Sequence, residues 1–552
     1  MGAPLPPIWT TGSTEVFHTG TWRAALPRHI QAPSPCHQAC PVGGDIAEWI
    51  GLARARDVRG AWQVLTRHNP FPAVAGRICH HPCETACNRA RHDEALSICK
   101  LERFVGDQAI EQAWTYPAPD VERDGHVAVI GAGPAGLSAA FQLRRRGWRI
   151  TVYEAAAEPG GLMRYGIPSY RLARAVLDAE IARIAALGVD IRCNAALADG
   201  AQFERIRAAH DAVFVATGAA RVKRLPALDY ALPGVMDGAA FLAACNAGTP
   251  PALGRDVVVI GGGSAAIDAA RSARRAGHAV TLLALEPRAQ MPAQPDEVEE
   301  ALEEGIVLVD GAMLQSLQAE AQGLALRCLR VNFSAGATRG EFRVEPIDGS
   351  AFALQADAVL SCIGQDPELA PFGEALPRRG ALLAADAATQ ATGTHGVWAG
   401  GDVSSLARFV TEAIGMGERA ALAIHRHLLG QSLGETDAPA AEGPAVPLSA
   451  IATWYHEPAR RAQSPRMPPD ERLKGGAEVQ LGLEIEQALA EGARCFSCGT
   501  CITCDNCVAV CPDLAVRRVG DGYQVLGEYC KGCGLCVREC PTGSMTMVEE
   551  RR

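Results

Sequence analysis

Three features of the sequence predict a multi-module α/β fold. Strand–glycine–helix units alternate from residue 126 to about 430, one glycine-rich turn occurs there twice, and two blocks of closely spaced cysteines flank the region. At 552 residues the chain is too long for one ordinary core, and roughly 150 residues per domain gives three or four domains. Charged residues make up 21% and apolar ones 48%, an ordinary globular balance, and the net charge of −10 argues against a nucleic-acid footprint. Protein partners and small cofactors fit it better. No apolar stretch reaches the roughly 18 residues of a membrane span. The opening MGAPLPPIWTTGSTEV lacks the basic-then-apolar layout of a signal peptide, so the expected setting is the cytoplasm. A reducing compartment disfavours disulfides, which makes the 20 cysteines candidate metal ligands. Sixteen of them fall within residues 36–99 and 495–540, while Cys193, Cys245, Cys328 and Cys362 are scattered and read as buried small hydrophobes.

Residues 1–115 carry the first cysteine block among segments such as DIAEWIGLARARDVRGAWQVLTR, whose apolar residues recur at three and four, so a small helical domain is expected. In residues 116–250, HVAVIGAGPAGLSAAFQLRRRGWRITVYEA reads as a strand, a tight turn, a helix and a second strand ending in an acid. Gly131 allows the turn, Gly133 lets the backbone approach a pyrophosphate at the helix N-terminus, and Gly136 lets helix and strand pack closely. Glu154 stands where a ribose hydroxyl would donate to it. Residues 251–354 repeat the plan in DVVVIGGGSAAIDAARSARRAGHAVTLLALEP, with Gly261, Gly263 and Ala266.

Two dinucleotide sites divide economically into FAD for the first and a nicotinamide nucleotide for the second, because a flavin can take a hydride and release single electrons to iron–sulfur clusters. AVFVATGAA and GVWAGGDVSSLARFVTEAIGMGERAALAI support the flavin half. In the second of these, Gly401 and Asp402 follow a strand, where the acid is placed to hold a ribityl chain. The helix starting near Thr411 is placed to point its N-terminus at the isoalloxazine. Since that segment lies in residues 355–430, the nicotinamide domain is expected as an insertion in the flavin domain, both Rossmann-like. Residues 431–494, rich in Pro, Ala and Glu, read as an extended linker followed by one helix, VQLGLEIEQALAEGA.

In residues 495–552, CITCDNCVAVCP and CKGCGLCVRECP each show the C-x2-C-x2-C-x3-C-P spacing of two-cluster ferredoxins, in which the fourth cysteine of each run reaches the other cube. Cys501, Cys504, Cys507 and Cys540 therefore make one [4Fe–4S] set, and Cys530, Cys533, Cys536 and Cys511 the second. The doubled spacing with both prolines makes zinc a poor alternative.

The motifs CPVGGDIAEWI, GRICHHPCETACNR, GAGPAGL, GGLMRYGIPSYRL, GGGSAAIDAAR and the stretch from Gly400 to Ile424 together resemble the small-subunit family of glutamate synthase, which shares its plan with the flavin part of dihydropyrimidine dehydrogenase. Joined to the ferredoxin runs, the chain resembles a sub-group serving 2-oxoacid oxidoreductases, sulfur-metabolising enzymes or aromatic-ring reduction. The resemblance implies that GGLMRYGIPSYRL lines the flavin through Gly161, Leu162 and Arg171. NADPH-using members are similar to one another in a Tyr-Arg-Arg run before Met-Pro-Ala, whereas here Ala284, Leu285 and Glu286 precede Met291, Pro292 and Ala293. An acid there accepts from an adenosine 2′-hydroxyl and repels a 2′-phosphate, so NAD(H) is expected, with Arg288 the residue that could reverse the preference.

The resemblance also implies two clusters in the helical domain, held by a C-x2-C-G-x3-C-x3-C run and a later three-cysteine group, with an acid or amide as one ligand. By that pattern Cys40, Cys79, Cys83 and Glu102 hold one cluster, and Cys36 and Cys87 are half of another whose C-x2-C-G is missing. Such a pair stands at Cys495, Cys498 and Gly499. Two readings stay open. Either Cys36, Cys87, Cys495 and Cys498 complete a second cluster, within one chain or across a homodimer, or a single N-terminal cluster forms, with Cys99 a further candidate ligand and the tail pair idle or zinc-binding.

The order of parts implies hydride transfer between nicotinamide and flavin, then single electrons through the clusters to a partner at the tail. An electron-transfer subunit of a larger enzyme, foremost a 2-oxoacid:acceptor oxidoreductase, is the first reading, and a free-standing reductase of soluble ferredoxin the second. A scaffold with decayed nucleotide sites is the third, against which both intact fingerprints speak.

Overall fold

The computed structural model describes residues 18–20, 23–337, 340–431 and 443–550. The N-terminal sixteen residues read above for a leader lie outside them, as do residues 432–442 of the expected linker.

Val127–Ile130 and Val257–Ile260 are apolar and buried at every position, as strands covered on both faces must be. In the first α/β unit five parallel strands run in the spatial order Val397–Ala399, Ala212–Val215, His126–Ile130, Arg149–Tyr153 and Asp190–Arg192. Helices Pro134–Arg145 and Val410–Leu428 pack together over this sheet through small residues, among them Ala139, Ala140, Ala420 and Ala421. In the second unit the parallel order is Val307–Val309, Ala279–Leu283, Asp256–Ile260, Ala358–Ser361 and Val235–Asp237. An antiparallel sheet whose longest strand is Gly323–Ala335 packs its Leu324, Leu326 and Cys328 against this unit. Strand Val397–Ala399 returns after the second unit, which is thus inserted in the first.

The insertion is wider than residues 251–354. Strand Val235–Asp237, helix Gly238–Asn246 and strand Ala358–Ser361 all belong to the second unit, and the chain crosses between units where Arg221–Val222 pairs with Gln365–Asp366. A three-residue edge strand such as Val235–Asp237 carries too little pattern to be read, so only the fingerprint marked where the unit begins.

Before these units, helices Ile46–Arg54, Val58–Leu65, Pro72–Ile78 and Ile98–Glu111 bury Trp49, Ile50, Trp62, Leu65 and Leu101 in a core of their own. The N-terminal strand Ala25–His29 is not part of that bundle. It pairs antiparallel with Met545–Glu549, so the first and last described strands of the chain form one ribbon on the ferredoxin-like tail.

The expected linker differs most. Its described part, residues 443–494, lies against the helical domain as a strap, burying Val446, Ile451, Val479, Leu483 and Ala488. Glu478 bridges Arg77 and Arg103 at 2.7 and 2.8 Å, and the fully buried Arg89 donates to the carbonyls of Arg494 and Glu457 at 2.9 and 2.7 Å. Fully burying one Val, Leu or Ile side chain contributes about 1.5–3 kcal/mol, which together with these ion pairs and hydrogen bonds offsets part of the cost of ordering the segment. The strap is extended, as its prolines require, apart from short helical turns such as Pro469–Arg472, and the helix expected over VQLGLEIEQALAEGA is confined to Ile485–Ala493, started by a capping box between Glu484 and Gln487.

Candidate cofactor sites

Both fingerprints open into one cavity of about 1530 Å3 between the two units. Gly131, at φ +106°, turns the chain below Ala216, whose carbonyl oxygen would stand 2.4 Å from any Cβ added there. Gly133 and Gly263 face open space into which a Cβ would project, a cradle of the kind phosphates occupy above a helix N-terminus. Gly136 and Ala266 lie behind the turns, at the contact of helix and strand, and do not line the cavity. Gly161, Leu162, Gly261, Gly401 and Asp402 do line it.

The two acids that end the fingerprints differ. Glu154 accepts from the Ala132 and Ala156 amides at 2.7 and 2.8 Å, which holds its carboxylate beside the first turn and at the cavity wall. Glu286 also reaches the cavity, but its Oε2 is buried without a hydrogen-bond partner, 2.3 Å from where a Cβ on Gly262 would stand. Burial pushes its carboxyl above the usual range. An orphaned acceptor at that place fits a ribose hydroxyl. Arg288 is exposed beyond it, with its backbone amide on Asp310.

Arg171 lines the cavity, yet its guanidinium reaches across to the second unit, donating to Asp268 at 2.6 Å and to Glu297. Burial opposes its charge, but the two carboxylates outweigh that and raise its pKa. Asp402 is 3.7 Å from Arg408. Thr411, in the first turn of helix Val410–Leu428, is buried outside the cavity and accepts a bond from the Cys79 thiol at 3.6 Å. Phe409, Val410 and Ala413 of that helix start face the cavity instead. His80, which no motif singles out, also lines the cavity and stacks on Phe409 at 3.8 Å; its one signal in the sequence is its place beside Cys79.

Cys79 joins Cys40, Cys83 and Glu102 behind this wall. Burial and then the charge of Glu102 push the Cys79 thiol up to about 12, Cys40 feels Glu102 likewise, and Cys83 feels both Cys40 and Cys79. Glu102 is pushed up to about 7 by burial, which the 2.7 Å bond from Asn69 opposes. Cys99 is turned away to the Gly76 carbonyl at 3.3 Å. Cys36 faces Cys495, Cys498 and Cys87. In the tail, Cys507 neighbours Cys501, Cys504 and Cys540, while Cys536 neighbours Cys530, Cys533 and Cys511. Sets of four neighbouring sulfur or oxygen donors are of the kind that hold [4Fe–4S] cubes. None of the 20 cysteines is in a disulfide, and among the described residues no helix is long and apolar enough to cross a membrane. Of the scattered cysteines, Cys328 is buried in a core, and Cys362 stands at the cavity wall with its thiol pushed up to about 12 by burial.

Residues 125–417 match the family model of the pyridine nucleotide-disulphide oxidoreductases, residues 28–114 that of dihydropyrimidine dehydrogenase domain II with its 4Fe-4S cluster, and residues 523–546 a 4Fe-4S binding domain. The NADP(+)-dependent formate dehydrogenase subunit beta of Moorella thermoacetica is 34% identical over 503 residues, 84% of this chain and 70% of that one. The glutamate synthase [NADPH] small chain of Azospirillum brasilense is 33% identical over 71% of this chain and 86% of its own. The NAD-dependent dihydropyrimidine dehydrogenase subunit PreT of Escherichia coli K12 is 33% identical over 72% of this chain and 92% of its own.

Proposed function

Because the chain belongs to the pyridine nucleotide-disulphide oxidoreductase family, as an oxidoreductase dependent on FAD, NAD(P) and [4Fe–4S] clusters, we propose that it is the nicotinamide-handling subunit of a larger redox enzyme. In this reading the first fingerprint, with Gly131, Gly133, Glu154, Gly161 and Asp402, takes FAD, and the second, with Gly261, Gly263 and Glu286, takes NAD(H). Bound flavin supplies the junction between two-electron exchange with nicotinamide and one-electron exchange with iron. The protein's own part is to bring the two nucleotides into one cavity and to set a cluster behind its wall.

One observation carries this reading: Cys79 lies between Ile78 and His80, which line the cavity, and bonds to Thr411 at the start of the helix that faces it. The Cys40, Cys79, Cys83 and Glu102 set is thereby the first stop for electrons leaving the flavin. The tail cysteines are the last, and Cys504 and Cys533 are exposed there to a docking partner.

The formate dehydrogenase, glutamate synthase and dihydropyrimidine dehydrogenase relatives are named as subunits or chains, which supports a catalytic partner subunit here. A 2-oxoacid:acceptor oxidoreductase in the cytoplasm is the partner proposed first. Native purification tests it: co-purification of catalytic subunits that oxidise a 2-oxoacid is expected. A chain that purifies alone and rapidly reduces soluble ferredoxin with NADH would instead establish a free-standing reductase.

A further inference from the structure

We propose that Cys36, Cys87, Cys495 and Cys498 together hold a [4Fe–4S] cluster that joins the N-terminal helical domain to the C-terminal tail. The first argument is the shape of the tail turn. Ser497 sits at φ +50° and donates its amide to the Cys495 sulfur at 3.4 Å. Thr503, at the same place in the first ferredoxin run, sits at φ +51° and donates to Cys501 at 3.4 Å. His81, at φ +41°, does the same to Cys79 at 3.2 Å. Left-handed backbone is unfavourable for a non-glycine residue, and here it aims an amide at a sulfur each time. Such donors favour thiolate over thiol, which iron ligation requires and space-filling does not.

The second argument is the meeting of distant segments. Asn88, next to Cys87, donates to the Cys498 sulfur at 3.5 Å across 410 residues of sequence. The Ser34 hydroxyl lies 3.0 Å from the Cys36 sulfur, and the Gly499 carbonyl accepts from Ala32 at 3.3 Å. Cys36, Cys87 and Cys495 pack against the same core of the helical domain, which places the tail cysteine beside the two N-terminal ones. The third argument is position. Cys36 lies in the short helix Pro35–Ala39 that Cys40 ends, Cys83 and Cys87 sit about one turn apart, and Cys498 is near Cys501 in sequence. This set thus stands between the Cys79 group and the ferredoxin runs, where a relay would otherwise be interrupted.

The inference rests on the chain carrying clusters at all, which the ferredoxin iron tests separately. Iron, zinc and flavin are measured in anaerobically purified full-length protein. About sixteen irons per chain are expected, falling to about twelve in the Cys495→Ser/Cys498→Ser double variant with the flavin retained. About twelve irons in both proteins, or one zinc that leaves with the double substitution, would overturn the proposal, whereas about eight would refute every N-terminal cluster. Should the double variant not accumulate, Ser34→Ala serves: it removes a bond to a ligand sulfur, so one cluster's midpoint potential is expected to fall with the iron count unchanged. Potentials that all stay in place would contradict the assignment.

Discussion

At the scale of single residues, the proposed preference for NAD(H) rests on Glu286. Its unpartnered Oε2 is an acceptor waiting for a hydroxyl, and a 2′-phosphate brought there would meet like charge in a half-buried place. Glu286→Arg is expected to move the ratio of kcat/KM for NADPH over NADH up by about 10–100-fold, without loss of flavin. Steady-state kinetics with both nucleotides checks it, and a wild-type protein that already prefers NADPH would contradict the assignment. This acid was legible because it closes a fingerprint strand, a position with a fixed chemical task. Arg171 was not. Its motif suggested a flavin contact, but its partners Asp268 and Glu297 lie 97 and 126 residues further on, beyond any local pattern. The pair holds the two α/β units together at the cavity, where an isolated buried charge would be costly.

At the scale of elements, the strap and the helix Val410–Leu428 fasten the helical domain to its neighbours. Glu478→Ala removes the carboxylate that Arg77 and Arg103 share, leaving Asp107 as their one described carboxylate partner beside the Ala73 and Gln480 carbonyls. A local loss of about 2 kcal/mol is expected, read as roughly 30-fold faster hydrogen exchange at Met467 and Leu481, whose amides bond within the strap. Unchanged exchange there would mean the strap is held elsewhere.

His68 fastens the other side, bonding Glu418 of the long helix at 2.7 Å and lying 3.6 Å from Asp45. Burial pulls its pKa down, but these two carboxylates outweigh burial and lift it to about 9. Because the folded value stands above the unfolded one, the contribution is complete below about pH 6.5 and fades as pH rises through 9, on the order of 3 kcal/mol in all. Thermal unfolding midpoints should therefore fall between pH 7 and 9 in the wild type and stay flatter in His68→Gln; parallel curves would remove His68 from the account. Neither fastening could be read beforehand. Proline-rich composition specifies an extended chain but not the surface it lies on, and a histidine between helices has no period to betray it.

At the scale of the whole molecule, the proposed relay does not follow the chain: it runs from the inserted unit through the flavin unit back to the N-terminal helical domain and then to the C-terminal tail. Both fingerprints and both ferredoxin runs were legible because each needs fixed spacings of glycine or cysteine around a cofactor of fixed size. The limits of the inserted unit were not, because its outer strands Val235–Asp237 and Ala358–Ser361 are short and ordinary. The pairing of Ala25–His29 with Met545–Glu549 was equally hidden, since two short strands at opposite ends of a chain carry no mutual signal.

The central claim is that the flavin cavity and the clusters form one electrically connected chain. The direct measurement is to reduce the anaerobic protein fully, remove the reductant, add excess NAD+ and count the NADH formed. A flavin that shares its electrons with four clusters is expected to yield about three NADH per chain. A yield of about one, with the clusters left reduced, would show that the clusters are not wired to the flavin and would contradict the account.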